Sequence, residues 1–150
     1  MNYLSTDRTN DPPMEARPLW RPRGRAPSGP SRSTARRLCD LAALSTAAAF
    51  AVPVGELVAG TRRKNNIAFA RQSAMYLAHV AFGLSYSAIG RAFGRDRTTA
   101  AHACRLIEDR RDDPAVDAIL SPLEHACGAL RRRLSEQQDS QGRAQARVRS

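Results

Sequence analysis

Between Gly90 and Arg105 the chain reads GRAFGRDRTTAAHACR, a run holding two glycines, four arginines, two adjacent threonines and one histidine. Three chemistries compete for it. Gly90 and Gly94 followed by Arg95 imitate a GxxxxGK[ST] phosphate loop, but the spacing is short, the lysine is absent and no strand precedes it, so nucleotide hydrolysis lacks its parts. His102 with Cys104, and His125 with Cys127, are spaced two apart, which on a helix turns the side chains to different sides and suits a metal poorly. The same geometry defeats Asp96, His102 and Cys104 as a nucleophilic site, and no oxyanion donors are identifiable. The expectation is a chain with no catalytic site, no metal and no cofactor.

Reading a nucleic acid is the chemistry that remains. A short helix carrying Ile89, Ala92 and Phe93 stops at Gly94, and a second helix opens at Asp96 or Thr98, the order of a helix-turn-helix. In that motif the N-terminal residues of the second helix meet base edges in the major groove. Ala100, Ala101, Cys104 and Ile107 provide small apolar groups for packing, while Thr98, His102 and Arg105 form a polar face. Arg95, Arg97, Thr98 and Thr99 crowd the helix start, where free N–H groups and the dipole favour phosphate oxygens. Thr98 also suits a capping role. A basic loop, Thr61 to Asn66, adds Arg62, Arg63 and Lys64. Residues 62–111 hold ten basic and three acidic side chains, a local charge of +7.

The elements that must position these residues read as all-α. The chain has 150 residues and a net charge of +10, room for one domain with tails and a composition drawn to polyanions. Residues 1–32 hold six of the nine prolines and little apolar periodicity, so a disordered tail is expected there. Residues 33–135 form the expected domain, and 136–150 read as a second disordered, basic tail. A first helix capped by Ser33 or Thr34 carries Leu38, Leu41, Ala42 and Phe50 and ends at Pro53, and Val54 to Val58 makes one helical turn. Ile67, Ala70, Ala74, Leu77, Ala78 and Ala81 mark a long helix closed by Gly83. Met75, Tyr76 and Leu77 suit core and rim packing. Pro114 starts a final helix carrying Val116, Ile119, Leu123, Ala126 and Leu130, and Arg131 to Arg133 complement its C-terminal dipole.

The cysteines Cys39, Cys104 and Cys127 make no CxxC pair and read as buried free thiols in a reducing cytoplasm. Arg36-Arg37 before the uncharged run Leu41 to Gly55 loosely imitates an export signal. The pair lies deep in the chain, however, and the run falls short of the ~20 apolar residues a membrane span needs. A cytoplasmic, nucleoid-associated chain without membrane contact is expected.

Several separate motifs then agree with one family in order, spacing and type: Ala70-Arg-Gln-Ser-Ala-Met-Tyr-Leu77, Ile89-Gly-Arg-Ala-Phe-Gly94, Arg95-Asp-Arg-Thr-Thr99 and His102-Ala-Cys-Arg105. Together they resemble the C-terminal DNA-binding domain of the bacterial replication initiator DnaA, from about Thr34 to Leu130. The resemblance implies that Arg63 enters a minor groove and that Arg71 and Gln72 lie near the DNA backbone. It also implies that Arg95, Asp96, Thr98, Thr99 and His102 contact bases and phosphates. Three departures stand out: Arg97 replaces a histidine, Ala100 and Ala101 replace larger aliphatic residues, and the turn has one glycine where the family often has two. The family's ATPase module is not expected ahead of this domain, since residues 1–32 read as a proline-rich tail. The function implied is binding of double-stranded DNA at DnaA-box-like sites, in transcription or replication initiation. The alternative is a module docking on the replication initiator or other regulators.

Overall fold

The computed structural model describes residues 29–59 and 65–148, and every regular element among them is an α-helix. Most of the expected N-terminal tail, and the basic loop with Arg62, Arg63 and Lys64, lie outside the described residues.

Helix α1 (Arg32–Ala49) starts two or three residues earlier than the sequence suggests. Ser31 is its N-cap, its Oγ accepting the Thr34 N–H at 3.2 Å and lying 2.9 Å from the Ser33 and Thr34 hydroxyls. Three hydroxyls stand within four residues, and the one outside the helical conformation takes the role. The inner face of α1 is nearly all small: Ala35, Cys39, Ala42, Ala43, Thr46 and Ala47 are buried. The helix stops at Ala49, before Pro53, because Ala51 turns to φ 51° and the Val52 N–H reaches back to the Ala47 carbonyl at 3.0 Å. Pro53 instead caps α2 (Val54–Val58), whose Leu57 is fully buried.

Helix α3 (Asn65–Val80) takes in Asn65 and Asn66, which the sequence reads as loop, and is the hub on which every other helix packs. Its Ala70, Ala74 and Ala78 are fully buried, and α1 packs on α3 with an alanine face of its own. Small residues on both faces permit a close crossing, since side-chain size sets the interaxial distance. Gly83 follows at φ 67°, and the Leu84 N–H bonds the Ala78 carbonyl at 3.2 Å, a glycine-dependent helix closure.

Helix α4 (Tyr86–Phe93) is capped by Ser85 Oγ, which accepts the Ala88 N–H at 3.2 Å. Gly94 ends it in the left-handed region at φ 61°. Helix α5 (Arg97–Arg110) follows after Gly94, Arg95 and Asp96. Helix α6 (Pro114–Val148) begins at the expected proline, with Asp113 Oδ1 accepting the Ala115 N–H at 2.9 Å. It does not end near residue 135: helix continues to Val148, and residues 131–148 are all exposed. This outer part has no apolar stripe, but Glu, Gln, Arg and Ala are good helix formers, so propensity rather than burial carries it. Arg131 to Arg133 therefore lie mid-helix, and Arg131 Nη1 reaches the Ala81 carbonyl at 3.5 Å.

A clamp that the sequence does not announce joins α3, α5 and α6. The Arg111 guanidinium donates to Tyr76 Oη at 2.7 Å, to Asp117 Oδ1 at 2.8 Å, to Ser121 Oγ at 3.2 Å and to Glu124. These partners hold the Arg111 proton more firmly than usual, the Tyr76 hydroxyl foremost and then Asp117. Arg110, next to it, lies over the Phe69 ring at 5.2 Å, and Phe69 meets Phe50 edge-on at 5.3 Å. The start of α3 is thus tied to the ends of α1 and α5.

Candidate nucleic-acid interface

The two helices of the motif meet through backbone. A Cβ placed on the buried Gly90 would lie 2.6 Å from the Arg95 carbonyl oxygen, 3.1 Å from Asp96 C and 3.2 Å from Arg97 N. Only hydrogen fits there. The Arg95 N–H also donates to the Gly90 carbonyl at 2.8 Å. Gly90 therefore fixes where the N-terminus of α5 sits. Its signal in the sequence is a glycine inside a helix at low intrinsic propensity, the mark of close approach.

Helix α5 divides as its spacing requires, with one adjustment. Ala100, Ala103, Cys104 and Ile107 are buried, while Ala101 is only half-buried. Thr98, His102 and Arg105 are exposed on the other side, together with Asp96, Arg97 and Thr99. Asp96 is the N-cap residue, although its side chain makes no capping bond. Thr98 lies inside the first turn and has no capping role.

Five of the candidate residues converge. Arg71 and Gln72 from α3, and Arg95, Thr99 and His102 from the turn and α5, line one groove of about 330 Å³, floored by Ala68, Met75 and Ala103. Asp96, Arg97, Thr98 and Arg105 stand outside it on the exposed face of α5. The free N–H groups at the start of α5 add positive potential at that rim.

Arg71 also has an internal task. Its Nε donates to the Leu57 carbonyl at 2.7 Å, and Nη2 to the Glu56 and Ala59 carbonyls, each at 2.9 Å. The guanidinium satisfies the end of α2, a five-residue helix too short to hold itself. Burial, and then the Arg95 charge, push the Arg71 guanidinium down from its usual value. Two cations therefore face the same groove.

The three cysteines are buried free thiols. Burial first, then Asp40, pushes Cys39 up to about 12, and burial first, then Glu108, pushes Cys104 up to about 12. Neither is a nucleophile or a ready metal ligand at neutral pH. Among the described residues no three His, Cys, Asp or Glu side chains gather as metal ligands, and no helix is long and apolar enough to cross a membrane.

Part of this chain is similar to known proteins. Residues 43–107 match the family described as the bacterial dnaA protein helix-turn-helix. Over 72 residues the chain is 42% identical to the chromosomal replication initiator protein DnaA 2 of Chlamydia muridarum, covering 48% of this chain and 16% of that protein. Over 52 residues it is 50% identical to the DnaA of Lactococcus lactis subsp. cremoris, covering 34% and 12%. A crystal structure of a DNA replication initiation factor superposes with a TM-score of 0.58 at 28% identity, over 65% of this chain and 30% of that one. A replication initiator DnaA bound to AMPPCP and single-stranded DNA superposes at 0.56 and 26% identity, with the same coverages. The chain thus spans about a sixth or less of the length of these curated relatives. The expected all-α fold is present, and residues 43–107 within it are similar to the bacterial dnaA helix-turn-helix.

Proposed function

We propose that this chain binds double-stranded DNA sequence-specifically, with α5 in the major groove, and acts without catalysis at DnaA-box-like sites as a regulator of transcription or replication initiation. The observation that carries the reading is the α3–α5 groove, which gathers Arg71, Gln72, Arg95, Thr99 and His102 inside the DnaA-like segment. The chemistry suits base edges. Threonine methyls meet thymine methyls, and an arginine forks onto guanine O6 and N7. Arg97, a permanent charge where the family has histidine, adds phosphate affinity and shifts base preference. In this reading Arg62 and Lys64 contribute charge toward phosphates and Arg63 serves as the minor-groove arginine, a role that a narrow A·T-rich groove favours electrostatically.

Fluorescence-anisotropy titration of duplex DNA at several salt concentrations tests the reading. A log K that falls linearly with log salt is expected, together with tighter binding to some sequences than to others. Arg63→Ala and Thr99→Ala should each weaken binding by about 1–3 kcal/mol at the preferred sequence. A flat salt plot, or equal binding to every sequence, contradicts it.

A further inference from the structure

Outside the α3–α5 groove, a second concavity of about 230 Å³ lies between the first turns of α1 and the outer side of α4. Ala35, Ala88 and Ala92 form its floor, and Arg32, Arg36 and Arg91 surround them. The four-residue spacing sets Arg32 and Arg36 on one face of α1. No acidic residue lines the cleft. Asp40, the one acid on α1, takes the Nε of Arg36 at 2.9 Å, in a pair whose side chains are half exposed. The Arg32 and Arg91 side chains make no ion pair or hydrogen bond among the described residues.

This arrangement runs against helix electrostatics. The first turn of α1 carries no acid to complement the positive end of its dipole, and Arg32 stands there instead, with Arg36 one turn on. Three like charges around a small-residue floor repel one another unless an anion lies between them. The cleft also borders the recognition apparatus, because Arg91 directly follows Gly90, whose Cα packs on the backbone of Arg95 to Arg97.

We propose that the Arg32–Arg36–Arg91 cleft holds a backbone phosphate of the bound duplex, outside the bases met by α5. The inference rests on the duplex-binding reading above. The ligand chemistry is a phosphate oxygen anion, held by guanidinium forks. Such a contact positions the duplex and carries no sequence information.

The test compares the full-length wild type with Arg32→Ala/Arg91→Ala, after thermal melts show that both fold. Anisotropy titrations across a salt series should give the variant a log K against log salt slope shallower by about 0.9, the value for one phosphate contact, with the ranking of sequences unchanged. Arg37→Ala/Arg147→Ala removes the same charge away from the cleft and should leave the slope as in wild type. Equal slopes for wild type and cleft variant overturn the proposal, as does an equal loss in the Arg37→Ala/Arg147→Ala control. Tripolyphosphate at fixed ionic strength supplies the remaining arm. If it raises the melting temperature of wild type but not of the cleft variant, while duplex slopes stay equal, the site serves a free anion and the proposal falls. A wild type that binds no duplex defeats the parent reading, whereas a binding wild type with equal slopes defeats the cleft alone.

Discussion

Gly90→Ala isolates the contact that aims the recognition helix. The added methyl would sit 2.6 Å from the Arg95 carbonyl oxygen and within 3.2 Å of two further backbone atoms, none of which is the movable end of a side chain. Either α4 and α5 separate, or the turn deforms. Overpacking of this kind costs about 1–3 kcal/mol, and a backbone neighbour places this case toward the upper end. Alanine returns about 0.5–1 kcal/mol through helix propensity, leaving a net loss of about 1–2 kcal/mol. At ~4–8 °C per kcal/mol for a domain of this size, the melting temperature should fall by about 5–15 °C. Gly128→Ala is the matched control. Its methyl would meet only Arg132 Nη1 at 3.7 Å, an ordinary contact within α6. It should raise stability by about 0.5–1 kcal/mol. Thermal melts followed by circular dichroism read both. If Gly90→Ala melts at or above wild type while Gly128→Ala gains as expected, the close approach does not constrain the motif, and the reasoning fails.

Arg111→Ala leaves Tyr76, Asp117 and Glu124 without their shared donor; a loss of about 1.5–3 kcal/mol in denaturant unfolding is expected. The buried thiols make stability depend on alkaline pH. Cys39 and Cys104 are protonated in the folded state up to about 12 but ionise near 9 when unfolded, so the unfolded chain binds fewer protons and stability falls as pH rises from 9 toward 12. Denaturant midpoints across that range check the sign, and at pH 8 both thiols should react with a disulfide reagent far more slowly in the native than in the unfolded chain. Truncation after Ser135 removes only exposed helix; the melting temperature should stay within about 2 °C of wild type while helical ellipticity drops, since surface changes lie within about 0.5 kcal/mol.

Features carried by neighbouring residues were legible in the sequence. Gly94 and Pro114 mark helix boundaries through positive φ and ring geometry, both of them local, and each sits where expected. The burial of Ala100, Cys104 and Ile107 followed from spacing along one helix. Features set by distant partners were not legible. Arg111 reads as the last residue of a helix, yet its partners Tyr76 and Glu124 lie 35 and 13 residues away. Arg71 reads as a DNA-facing arginine, yet its fork also closes α2, 12 to 15 residues earlier. Gly90 owes its role to backbone across the turn. The outer half of α6 was missed because the periodicity that signals a packed helix is absent where nothing packs.

The most direct test of the central claim is selection of bound duplexes from a randomised library, run in parallel with wild type and Arg97→His. The account predicts that wild type enriches one DnaA-box-like motif, and that Arg97→His moves the preference at the base pairs beside the N-terminus of α5 while leaving the rest of the motif in place. No enriched sequence from a folded wild-type chain, or identical motifs from both proteins, would contradict it.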